Sequence, residues 1–289
     1  MADMNSGSVD GKPKVWFITE ASSGFGRAIT RYLLEKGDNV VATLRKPEAI
    51  TDLTDKYARD RLLPIKLDVT KEQEIKEAFA KAKQAFGHID VVFNNTDYCV
   101  VGEVEGTSDQ VARDMFETNF WGAVGVTKEP VGFFREKNQP TGGRLLQMSS
   151  MVGLTAAPGL GFYSATQAIS ESLAQELDPK WNIKITLVAP GPFMTEGIRV
   201  PSVQIQDPHP TYTEPQLPGQ QQREFFKSSK IYGDTAKAVI VMERLAHVDE
   251  PPVRMPLHKM SIDLARQKAK RVERETADYE SWSEDVYLI

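Results

Sequence analysis

Cysteine is almost missing from this chain: Cys99 stands alone among 289 residues. No intrachain disulfide can form, and a reducing, cytoplasmic compartment is the expected setting. Long apolar runs are missing as well. No stretch of 18 apolar residues occurs, which excludes a membrane-spanning helix. The opening segment, residues 1–12, lacks the apolar centre of a secretory signal and is expected to be a disordered lead-in. Positive charge is not in excess. A net charge of −5 and a pI near 5.6 give no general attraction to nucleic acid or anionic lipid. There is no internal repeat and no second core, so residues 13–289 read as one domain, long enough to bury most of its apolar surface.

What is present alternates. Val15-Trp16-Phe17-Ile18-Thr19 is a short apolar run of strand formers, followed by a small-residue turn and an amphipathic helix, Arg27 to Lys36, that Gly37 closes. Further strands are expected at residues 40–44, 63–67, 89–93, 144–148 and 184–188, and helices at 71–86, 109–137, 165–177 and 262–279. Continuous apolar strands separated by helices predict an α/β fold: a single Rossmann-like, doubly wound parallel sheet with helices on both faces. Ligands of such sheets bind beyond the carboxyl ends of the strands. The proline-rich stretch 200–222 is too long for a simple connector and is expected to be an irregular substrate loop or lid. Pro130 lies within the long helix, where it removes a backbone hydrogen bond.

The strand ends carry the informative residues. Gly24 and Gly26 form a turn whose N–H groups can meet a pyrophosphate. Asp68, Asn94-Asn95, Asn119, Ser149-Ser150, Tyr163 and Thr195 follow at fixed places along the same sheet. In this order and spacing the chain resembles the short-chain dehydrogenase/reductase family over roughly Lys14 to Thr195. The resemblance implies that Asp68 holds an adenine ring and that Asn119, Ser150 and Tyr163 match three members of a catalytic tetrad. It implies that Thr195 meets a nicotinamide amide and that Arg45 meets the 2′-phosphate of NADP. Homodimers or homotetramers are expected on the same ground. Met151, Leu160, Phe162, Phe193 and Met194 suggest an apolar substrate pocket; Trp121 reads as core.

Three residues depart from the family pattern. Glu20 replaces a glycine of the first turn, Asp97 replaces the glycine after Asn-Asn-Ala, and Gln167 replaces the lysine of Tyr-x-x-x-Lys. Two carboxylates facing a diphosphate, and a tyrosine without its cation, argue against nucleotide binding. The leading expectation is therefore a cofactor-independent, non-redox enzyme: a cyclase, isomerase or lyase acting on a bulky apolar carbonyl compound. In it Ser150 and Tyr163 act as hydrogen-bond donors and Glu20 or Asp97 as base. Two alternatives stand beside it: an NADPH-dependent carbonyl reductase or alcohol dehydrogenase, and a non-catalytic relative that binds a ligand without turnover.

Overall fold

Val15, Trp16, Phe17 and Ile18 are all buried, and they divide by the strand period of two. Trp16 and Ile18 belong to the layer holding Ile29, Leu33 and Met242, whereas Val15 and Phe17 belong to the layer of Phe79, Val126 and Phe134. A strand buried on both faces needs helices above and below it, and the computed structural model places it so. The structure describes residues 12–167, 170–194, 202–228 and 233–287; the lead-in expected at 1–12 falls, except for Lys12, outside them.

In chain order the strands are β1 (Val15–Ile18), β2 (Asn39–Leu44), β3 (Leu62–Lys66), β4 (Val91–Asn94), β5 (Cys99–Val101), β6 (Gly143–Met148), β7 (Ile183–Pro190), β8 (Phe193–Met194), β9 (Val203–Ile205), β10 (Gly233–Asp234) and β11 (Arg254–Leu257). Seven of them form one parallel sheet in the order β3-β2-β1-β4-β6-β7-β11. The order reverses at β1, which leaves a crevice between the ends of β1 and β4. Helices Gly24–Lys36 and Thr235–Leu245 supply apolar faces to one side of the sheet, and Glu72–Phe86 and Ala123–Glu136 to the other. Phe17 and Phe79 stack with centroids 4.2 Å apart. Gly37 and Gly87 end two of these helices with φ of 109° and 77°, a conformation that costs glycine little.

The structure corrects the sequence reading in four places. The single helix expected at 109–137 is three pieces: Asp109–Phe116, a π-helical stretch Glu117–Gly122, and Ala123–Glu136. The wide stretch turns Trp121 outward, 58% exposed, where a core position was expected. The segment 200–222 is irregular only in part: residues 206–217 form no helix or strand, but its two ends are regular. It contains β9, paired parallel with β5, and the start of the helix Pro218–Lys227, whose proline occupies the first turn. The helix expected at 165–177 is observed as Gly161–Ala165 and Ser170–Glu176, with 168–169 outside the described residues. No helix of the described residues is long and apolar enough to cross a membrane.

Candidate active site

The residues that follow β1, β4, β6 and β7 converge on one cavity of about 270 Å³. Glu20, Ser23, Gly24 and Phe25 line it from the first turn. Asn95 and Asp97 line it from the end of β4, Ser150 and Met151 from the end of β6, and Phe193 from beyond β7. Tyr163 and Leu160 enter from the helix Gly161–Ala165 and its approach. Val203 and Ile205, within the segment expected to close over the pocket, form a further wall with Phe225 and Phe226, which lie beyond that segment and which sequence reasoning missed. Phe162, expected in the pocket, does not line it. Thr195 and the Met194 side chain lie outside the described residues.

The first turn is tightly built. Gly24 has φ of 55°, and a Cβ on Gly26 would stand 2.2 Å from the Glu20 carbonyl oxygen and 2.9 Å from Asn95 Nδ2. Asn95 is itself fixed to β1: its N–H donates to Thr19 Oγ1 at 2.8 Å and its Nδ2 to the Thr19 carbonyl at 3.1 Å. Glu20 adopts φ of 54°, the left-handed region that glycine occupies freely. Its carboxylate accepts a hydrogen bond from Ser22 Oγ at 2.6 Å, within the turn. The following helix begins at Ser23 with no side-chain cap and no acid in its first turn, so its amide end is open to an anion.

Asp68 and Arg45 sit apart from the cavity, past the ends of β3 and β2. Asp68 accepts from the backbone and hydroxyl of Thr70 at 3.0 and 2.8 Å. Burial pushes its carboxyl upward, but the Thr70 bonds, Lys71 and Arg45 outweigh this and hold it below the usual range.

The opposite end of the site is organised around Tyr163. Its hydroxyl donates to Asp97 Oδ2 at 2.9 Å, and the same oxygen receives Gln167 Nε2 at a weaker 3.4 Å. Gln167 is buried beneath the cavity, with its own Oε1 unpartnered. Burial first, then the Asp97 charge, lifts the phenol well above its ordinary pKa of 10, so it is protonated at neutral pH; a hydrogen bond with Ser150 works in the opposite sense. Ser150 also caps the short helix Met151–Leu154. Asn119 does not line the cavity. Its amide accepts from Tyr98 N–H at 3.0 Å and donates to the Tyr98 carbonyl at 2.6 Å, which anchors the segment carrying Asp97. Glu20 and Asp97 both line this cavity, but their carboxylates have different partners: Glu20 turns to Ser22 and Asp97 to Tyr163.

Burial pushes the Asp97 carboxyl up to about 6, against the opposing bonds from Tyr163 and Gln167. A raised carboxyl costs stability once ionised. Asp97 adds no cost below about pH 4, where both the folded and unfolded forms are protonated, and its cost grows as the pH rises to about 6. The full shift corresponds to about 3 kcal/mol. Asp97→Asn is therefore expected to raise the melting temperature at pH 7.5 by roughly 5 °C and to change it little at pH 4. Equal shifts at both pH values would refute buried charge as the cause.

A family model of short chain dehydrogenases matches residues 14–201. The chain is 36% identical over 259 residues to an uncharacterized oxidoreductase of Schizosaccharomyces pombe, covering 87% of this chain and 84% of the relative. It superposes on a short-chain dehydrogenase from Streptomyces avermitilis with a TM-score of 0.86 and 31% identity, over 96% of this chain and 99% of the other. It shares the fold of a Burkholderia cenocepacia short chain dehydrogenase crystallised in complex with NADP, with a TM-score of 0.69, 22% identity, and coverage of 92% and 97%. These matches overturn the expectation of a cofactor-independent cyclase, isomerase or lyase. The arguments behind it were the charges of Glu20 and Asp97 and the cation missing at Gln167; both carboxylates are engaged by hydroxyl groups of the chain itself. The glycine turn, the Ser150–Tyr163 pair and the full-length matches agree: the chain belongs to the short-chain dehydrogenase family.

Proposed function

We propose that this protein is an NAD(P)-dependent oxidoreductase that interconverts a carbonyl and an alcohol on a small, largely apolar molecule. The observation that carries the reading is the protonated phenol of Tyr163, placed beside Ser150 in a cavity walled by Phe25, Leu160, Phe193, Phe225 and Phe226. A phenol at such a position holds a proton for a carbonyl oxygen, and the serine hydroxyl fixes that oxygen. The aromatic walls favour an apolar body and exclude water, which strengthens both hydrogen bonds.

The chain's residues suit a dinucleotide at three points. The uncapped amide end of helix Gly24–Lys36 takes a diphosphate, with Gly24 and Gly26 allowing close approach. Asp68 and Asn95 stand at the ends of β3 and β4 for the adenosine half. Arg45, exposed beyond β2, favours NADP(H). Bound there, the dinucleotide supplies or accepts the hydride. Glu20 leaves one extra negative charge on the rim and weakens binding by a screened amount.

Calorimetry with NADPH and NADH tests this reading, followed by turnover with apolar ketones and alcohols. Micromolar binding of at least one nucleotide is expected, and Glu20→Gly is expected to tighten it about tenfold by removing a charge near the phosphates. Absence of binding by both the wild type and Glu20→Gly would refute it. Part of the same proposal is a homo-oligomer: Trp121 is 58% exposed on the π-helical stretch, an aromatic suited to burial between copies, and light scattering decides it.

A further inference from the structure

Asp97 occupies a place that the oxidoreductase reading leaves without a role. We infer that Asp97 is the proton partner of Tyr163, a positioning residue that takes the phenolic proton when the tyrosine accepts one from an alcohol and returns it when the tyrosine gives one to a carbonyl. This inference rests on the oxidoreductase reading of the same site.

The geometry is specific. Tyr163 Oη lies 2.9 Å from Asp97 Oδ2, with the phenol donating. Gln167, four residues on and just past the end of the helix, is uncharged and offers the same oxygen only a 3.4 Å contact. A cation beside a phenol stabilises the phenolate, and a carboxylate does the reverse. Tyr163 therefore cannot stand ready as a phenolate base, but it can pass a proton through. In oxidation the alcohol O–H bond breaks and a bond from that proton to Oη forms. The original Oη–H bond breaks, and its proton bonds to Oδ2. The phenol is neutral before and after, and the aspartate carboxylate becomes an acid. The electron pair of the alcohol C–H bond leaves as hydride to a nicotinamide dinucleotide. Reduction runs the same transfers backward, and the acid form of Asp97 resupplies Oη.

The surroundings make Asp97 able to hold either state. Tyr163 and Gln167 face it from the helix side, and Cys99, whose thiol burial pushes far up, lies on β5. Glu20 shares the cavity from the end of β1, and Ser150 from the end of β6. No lysine, arginine or histidine among the described residues lines the cavity; His258 packs against Phe193 from behind it. With no cation to hold it ionised, burial raises the carboxyl to about 6, so its two forms interchange near neutral pH.

Infrared titration of the protein without nucleotide is the first arm of the test. A carboxylic acid band with a midpoint near pH 6 is expected in the wild type and is expected to vanish in Asp97→Asn. A ring mode assigned to Tyr163 through Tyr163→Phe should shift in the same titration. The second arm is the pH profile of alcohol oxidation. In the wild type kcat/KM should rise to a plateau above about pH 6; in Asp97→Asn it should fall roughly 30-fold or more at pH 7, with the rise displaced upward by at least about 2 pH units. Adding Gln167→Lys to Asp97→Asn should recover about tenfold by supplying the cation that stabilises the phenolate. An unmoved Tyr163 mode, or an Asn variant that keeps the wild-type pH profile, would overturn the inference. Failure to find turnover in either protein refutes the oxidoreductase reading instead, and the infrared coupling then decides the Asp97–Tyr163 pairing by itself.

Discussion

Arg223→Met is expected to cost about 3–5 kcal/mol, the range for removing one partner from a buried ion pair. Arg223 is 2% exposed, and its guanidinium grips the Glu103 carboxylate through both terminal nitrogens, one of them at 2.6 Å. Its Nε donates to the Gln206 carbonyl at 3.0 Å. One side chain thus ties the helix Pro218–Lys227 to β9 and to the turn after β5, and so fixes Phe225 and Phe226 over the cavity. The hydrogen bond from Arg223 is the main reason that Glu103 is held at about 2, below its usual 4.5. A lowered carboxyl stabilises the fold above pH 4.5 and loses that contribution as the pH falls through about 2. The shift is worth about 3 kcal/mol, in agreement with the range from pair removal. Urea unfolding at pH 7 measures the loss, which should shrink below pH 4.5. The double variant Glu103→Gln/Arg223→Met should recover much of it, since no buried charge then remains unpaired. A loss under about 1 kcal/mol at pH 7 would show that the pair is not the fastening of this segment.

Tyr163→Phe is expected to lower turnover by about two to four orders of magnitude, the effect of deleting a positioned proton donor. Ser150→Ala should cost less, about one to three orders, because it removes one donor to the oxygen and leaves the proton source. Nucleotide affinity should be unchanged in both, since the glycine turn and Asp68 lie at the other end of the site. Binding by calorimetry and turnover must therefore separate. A Tyr163→Phe variant within about fivefold of wild type would remove Tyr163 from the chemistry, whatever its place in the cavity.

Much of this was legible before the structure. The continuous burial of Val15–Ile18, the glycine stop at Gly37, and the spacing of Asn95, Ser150 and Tyr163 all follow from local chemistry that the fold retains. Asp97 could be recognised as unusual, but its direction could not be read. It is set by the two bonds from Asn119 to the Tyr98 backbone, and those depend on a π-helical stretch that a 3.6-residue period does not reveal. Phe225 and Phe226 were hidden because prolines at 201, 208, 210, 215 and 218 suggest irregular chain, although Pro218 begins a helix. At Gln167 the sequence shows the lost cation but not the carboxylate that stands 2.9 Å from the phenol.

The last strand of the sheet has a consequence for what counts as a folding unit. β11 pairs with β7 from Arg254 to Leu257, and the hydroxyl of Ser261, just beyond it, donates to the Ala189 carbonyl at 2.7 Å. The family match ends at residue 201, well before this strand. A fragment cut at that limit would leave β7, one of the most apolar strands, as a bare edge with its row of amides and carbonyls unpaired. Such an edge templates pairing with another chain. The region that the family model matches therefore holds six of the seven strands but exposes an aggregation-prone edge when cut out alone. What shields it is the C-terminal strand, whose own Pro256 suits the outermost position where no further neighbour pairs.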